Sequence, residues 1–269
     1  MTKRLVHSEL QKLRSNRTFW IMTAILTALS VLYVFMQTDT FFKVSAIETE
    51  IIGTSIDLVK EGPTIFWKII RDSSMVAWFS VPFAGLLIGT DFGDRGISQT
   101  VMAGSPRGKL FLIKAIEYYV LFLLVLSIYP VGAFLRCCLP WVQVMSAADA
   151  AYFWQGVFLK LVLDLNLISI GFFLVFLCRD VLKSIAASLG VVLLLAFFPR
   201  IPVGENIRSI NPVSYYSYIV RHPDPMPGSM WDVPPLSTVE ISVIVIGSFL
   251  VIAACITGAY LLFRKSELR

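Results

Sequence analysis

Charge is scarce in this chain: Asp, Glu, Lys and Arg make up only 15% of its 269 residues, against about 25% in ordinary soluble domains. Histidine occurs only twice, at His7 and His222, both in segments that read as water-facing. The four cysteines, Cys137, Cys138, Cys178 and Cys255, sit in or beside apolar runs with no CxxC or Cys/His spacing. These shortages exclude a disulfide scaffold and a zinc site of the usual ligand spacing. They also exclude the intramembrane hydrolase constellations built on HExxH or on Ser with His. No true phosphate loop is present either. Gly104-Ser-Pro-Arg-Gly-Lys109-Leu has three residues between its glycines where four are needed, and Leu110 stands where Ser or Thr would hold a metal. The chain is therefore expected to carry no enzyme activity, cofactor or metal of its own.

Apolar residues fill the space left by charge. The hydrophobic fraction is 57%, with 20 Phe and 6 Trp, and the mean hydropathy is +0.75. One buried core cannot hide that much apolar surface, so lipid must cover the remainder. The net charge of +5 would suit nucleic acid only if the cations shared one soluble face, and they are distributed along the chain instead.

A hydrocarbon core about 30 Å thick needs about 20 apolar residues per helix. Six runs approach that length: 18–38, 73–90, 110–135, 152–178, 184–199 and 241–263. The first is too long for a signal-peptide core and has no A-x-A-like site after it, so it reads as a retained span. The segments 1–17, 91–114, 179–183 and 264–269 hold 14 Lys or Arg in 52 positions, while 39–72, 136–149 and 200–240 hold 8 in 89. Basic residues accumulate on the cytoplasmic side. The expected fold is an all-α, single-domain, multi-pass membrane protein with six transmembrane helices and both termini inside.

The connecting segments carry further expectations. Val6, Leu10 and Leu13 share a face among Lys3, Arg4, Lys12 and Arg14, so 1–17 reads as an amphipathic interfacial helix. Asp94 can cap a short helix running to about Ala103, which Gly104 can close before Ser105-Pro106 opens the third span. Ile97 and Val101 would form an apolar stripe on that helix, and an exposed stripe implies a partner. The short turn Arg179–Lys183 joins the fourth and fifth spans as a helical hairpin. In the proline-rich segment 200–240, Val213–Val220 is aromatic and too short to span, which suits an interfacial or re-entrant helix.

Three ionisable residues fall inside spans: Glu117, Lys160 and Asp164. Each would cost about 2.5–3.5 kcal/mol unpaired at the bilayer centre. Lys160 and Asp164 are spaced i, i+4 and Lys114 and Glu117 i, i+3, so each acid has a base on its own helix face. Self-paired charges facing the bundle are the expectation, with a polar substrate path or proton relay as the alternative.

This order of parts resembles the ABC-2-type permeases, the membrane subunits of bacterial ATP-binding-cassette exporters. The likeness is sharpest in Glu9-Leu-Gln-Lys-Leu-Arg14 through Thr18-Phe-Trp20, and in Asp91, Gly96-Ile97, Gly104-Ser-Pro-Arg107 and Lys114. The second set is similar to permeases of antibiotic-peptide export and immunity. Ile97 stands where the family usually has Thr, and either Asp91 or Asp94 fills its acidic position. The resemblance implies a plasma-membrane permease that pairs with a second copy, identical or related, and with two separate cassette ATPases that bind ATP and Mg²⁺. Asp94, Ile97, Val101, Arg107, Arg179 and Lys183 would then lie in the elements that pass ATPase motion to the spans. A stand-alone secondary transporter using Glu117, Lys160 and Asp164, or a membrane anchor or sensor, are the competing readings.

Overall fold

A computed structural model of the chain describes residues 11–28 (except 13 and 18), 74–93, 96–137, 147–197, 215 and 236–265. Those residues form helices and turns, with no strand among them. We label the helices α1 (Phe19–Ala28), α2 (Ser74–Gly93), α3 (Gly96–Met102), α4 (Arg107–Cys137), α5 (Ala147–Cys178), α6 (Val181–Phe197) and α7 (Thr238–Lys265). Three of them, over Arg107–Ile128, Trp154–Cys178 and Thr238–Lys265, are long and apolar enough to cross a membrane. Of the expected interfacial helix 1–17, residues 1–10 and 13 lie outside the described residues, as do 29–38 of the first span and most of 200–240. From Val213–Val220 only Tyr215 is described, and it is fully buried.

The helix ends follow from local chemistry. Asn16 caps α1, its side chain accepting from the Phe19 N–H at 3.2 Å. A capping box opens α7: the Ser237 N–H donates to Glu240 Oε2 at 2.9 Å, and the Glu240 N–H donates back to Ser237 Oγ at 3.2 Å. Helix α3 ends in a Schellman motif, with Gly104 N–H on the Val101 carbonyl (3.0 Å) and Ser105 N–H on that of Thr100 (3.3 Å). Gly104 sits at φ 88°, the left-handed region where a Cβ is strained.

Helix α5 is the axis of the bundle. It packs against α2, α4, α6 and α7, and 67% of its most apolar window is buried against 17% for α7. Gly171 makes the α5–α2 approach possible, because a Cβ there would stand 2.9 Å from the Val81 carbonyl oxygen. Helices α2 and α6 meet through small residues four apart. A Cβ on Gly85 would come within 3.1 Å of Ser184 Cβ, and one on Gly89 within 3.2 Å of Val181 Cα. Close backbone approach through such pairs is how helices associate where lipid removes the hydrophobic drive between them. The outward faces are apolar: Leu112, Ile116, Val120 and Leu124 form one exposed row on α4, and Ile246, Phe249, Leu250 and Leu261 are exposed on α7. Water cannot be the solvent for these rows.

Two expectations need correction. The expected turn Arg179–Lys183 is only Arg179–Asp180, and Lys183 lies in the first turn of α6. Arg179 at φ 53° closes α5 in a left-handed conformation, and Asp180 Oδ1 accepts from the Lys183 N–H at 3.0 Å, so α6 starts at once. The apolar stripe of α3 is not free either. Ile97 is 3% exposed within the main core, and Val101 is half-buried against it. The helix lies on the bundle, so its own chain supplies the cover that a partner was expected to give.

Candidate functional site

The structure brings the basic, turn-rich ends of the helices together. The Asp91 carboxylate near the end of α2 lies 2.6 Å from Lys114 Nζ in the second turn of α4. Arg107, in the first turn of α4, donates from Nη1 to the Arg264 carbonyl at the end of α7, at 3.1 Å. Arg179, in the α5–α6 turn, donates from Nη2 to the Leu262 carbonyl, also at 3.1 Å. Two guanidinium groups thus cap the last turn of α7, where unsatisfied carbonyls carry partial negative charge. Beneath them Phe111, Phe172, Phe176 and Phe263 interlock, with ring centroids between 4.9 and 6.0 Å. Helix α3 lies at this same end, between α2 and α4. Its buried side is Ile97 and Ser98; its exposed side is Gln99 and Met102.

Of the residues expected to pass ATPase motion to the spans, all but Asp94 are among the described residues. Ile97 faces the core and Val101 packs beside it; Arg107 and Arg179 brace α7; Lys183 is exposed on α6. The Asp91 contact was legible only as one motif position among several, since nothing in spacing joins it to Lys114 twenty-three residues later. Its carboxylate also marks the corner where α2 gives way to α3: a Cβ on Gly96 would stand 3.7 Å from Asp91 Oδ1.

A second polar zone runs through the bundle interior. Glu117 Oε2 is 3.3 Å from Lys114 Nζ, in ionic contact without hydrogen-bond alignment, so one ammonium serves two acids. One turn deeper the Tyr118 hydroxyl donates to the Ile168 carbonyl (2.8 Å), and that of Tyr119 to Ser169 Oγ (2.7 Å). Asn166 Nδ2 then donates to Ser248 Oγ at 3.3 Å, tying α5 to α7. Lys160 and Asp164 form an ion pair with both side chains buried. At 1.5 Å of rise per residue this pair sits about 21–27 Å along α5 from Cys178, near the middle of that helix and away from the basic end. Among the described residues no three His, Cys, Asp or Glu side chains converge on a metal-sized site.

Together these features define a helical membrane-embedded protein with one basic, aromatic-braced end and a self-paired polar interior. Comparison of the chain with known protein families, curated proteins and solved structures finds no match.

Proposed function

We propose that the chain is the permease subunit of a bacterial ATP-binding-cassette exporter. It crosses the plasma membrane six times with both termini in the cytoplasm, pairs with a second permease, and takes its energy from two ATPase subunits. The observation that carries this reading is the separate short helix α3 at the basic end, seated on the core by Ile97 and turning Gln99 and Met102 outward. Met102 is 76% exposed beyond the lipid-facing rows, and a side chain of that kind is a suitable knob for a cleft on a cytoplasmic partner. Because Ile97 and Val101 hold α3 to the bundle, motion imposed on Met102 passes to α2, against which α3 packs, and through the short Ala103–Pro106 connection to α4. The resemblance points to a lipid, drug or antibiotic peptide as cargo.

The deciding experiment is to search beside the gene for a cassette ATPase and to co-express it with the chain. A stable complex that hydrolyses ATP in nanodiscs is expected, and Met102→Asp should detach the ATPase or uncouple hydrolysis while leaving the bundle folded. Failure to find such an ATPase, or unchanged coupling in Met102→Asp, counts against the reading. Sidedness has its own test. In a background lacking the native cysteines, Thr238→Cys should react with an impermeant thiol reagent in intact cells and Gln99→Cys only after lysis. Both positions are exposed, and the reverse pattern would invert the topology.

A further inference from the structure

The seam between α4 and α7 ends in a group of exposed cations beside a tyrosine hydroxyl. Arg107 bonds to the Arg264 carbonyl, and the Phe111 ring stands 5.3 Å from that of Tyr260, so the first turn of α4 and the last two turns of α7 lie side by side. At this level Lys109, Arg264 and Lys265 are all exposed. Among the described residues, Arg107–Leu112 and Gly258–Lys265 contain four cations and no acid. The acid beside Arg179, Asp180, is already spent in capping α6. Between the two helices the surface is relieved: Gly108 has no side chain, and the Tyr260 hydroxyl lies 3.8 Å from where its Cβ would be. Directly below, the exposed surface is apolar, with Leu112 and Ile116 on α4 and Leu261 on α7.

We propose that this seam binds an anionic phospholipid. The phosphate lies over Gly108, held by Lys109, Arg264 and Lys265 and accepting a hydrogen bond from the Tyr260 hydroxyl, while the acyl chains run along Leu112, Ile116 and Leu261. A lipid, rather than a free phosphate, is specified by the continuity of the cationic rim with an apolar face that only hydrocarbon can cover. Basic residues at the membrane surface attract anionic headgroups, each by about 1 kcal/mol, and a tyrosine at headgroup depth offers its ring to the chains and its hydroxyl to the phosphate. Arg107 and Arg179 are positioning residues here, since their bonds to α7 hold Arg264 and Lys265 in place. The inference needs only that the bundle is embedded in lipid and does not depend on the ATPase.

The test uses the full chain in nanodiscs of phosphatidylcholine containing a graded fraction of phosphatidylglycerol, with lipid retained after extraction counted by native mass spectrometry. Wild-type protein should retain phosphatidylglycerol selectively and unfold at a higher temperature in its presence. The triple variant Lys109→Gln/Arg264→Gln/Lys265→Gln should lose that retention about tenfold or more, together with the thermal shift. Lys183→Gln removes a cation at the same end, but on α6, which packs against α2 and α5, and should change neither reading. Equal loss in Lys183→Gln, full retention in the triple variant, or displacement of the lipid by millimolar inorganic phosphate would each overturn the proposal.

Discussion

Asp164→Leu or Lys160→Met alone is expected to cost about 3–5 kcal/mol of stability, while the double variant costs less than either. Each single change strands a charge among side chains that are almost wholly buried. Removing both charges removes the need for compensation, and Leu and Met fill similar volume without an ionic group to desolvate. The measurement is thermal unfolding of the purified full-length chain in detergent, comparing all four members of the cycle. Additive losses in the double variant would show that the two residues act independently. A double variant that folds normally but is dead in transport would instead give the pair a relay role. The location of the pair bears on this: it lies near the middle of α5, separated from the Asp91, Lys114 and Glu117 cluster by Asn166, Ser169 and Tyr119.

Gly171→Ala is the second change of large expected effect, with a loss of about 1–3 kcal/mol from overpacking. The added carbon would stand 2.9 Å from the Val81 carbonyl oxygen and 3.1 Å from Val81 Cγ1. The oxygen belongs to a helix backbone, which cannot swing aside as a flexible side chain would, so α5 must separate from α2. Gly190→Ala and Gly247→Ala are the controls. Nothing lies within 4 Å of a Cβ at either position, and alanine in a helix interior is favoured over glycine by about 1 kcal/mol. Both should therefore match or exceed wild-type stability. Melting curves of the three variants decide the matter, and a Gly171→Ala protein as stable as the controls would mean that α2 and α5 do not approach this closely.

Much of the local structure is legible in the sequence because it depends on neighbours in the chain. Apolar run lengths located α2, α4, α5, α6 and α7 to within a few residues, since burial of a helix face needs a continuous apolar stretch. The i, i+4 spacing of Lys160 and Asp164 anticipated their pairing, because residues four apart share a helix face. Gly104 was readable as a helix terminator, and the Schellman bonds follow from its φ of 88°. The capping box Ser237-Thr-Val-Glu240 is equally legible, as a Ser followed three residues later by Glu at the start of an apolar run.

What a sequence cannot carry is which face meets which neighbour. Ile97 and Val101 read as an exposed stripe because periodicity locates a helical face without saying what lies against it. Only the packing of α3 on the bundle buried that face and left Met102 as the outward group. Arg107 and Arg179 read as cytoplasmic charges, and only the meeting of three separate chain segments at one end turned both guanidinium groups onto the carbonyls of α7. The same holds for Asp91 with Lys114, for Gly171 against Val81, and for Gly85 and Gly89 against α6. Composition, run length and charge distribution by themselves determined that this chain is helical and lives in lipid, because those properties are sums over residues. The tertiary structure alone decided which charges are spent within the bundle and which remain at its surface, because an ion pair or a helix contact depends on a distance that spacing along the chain does not contain.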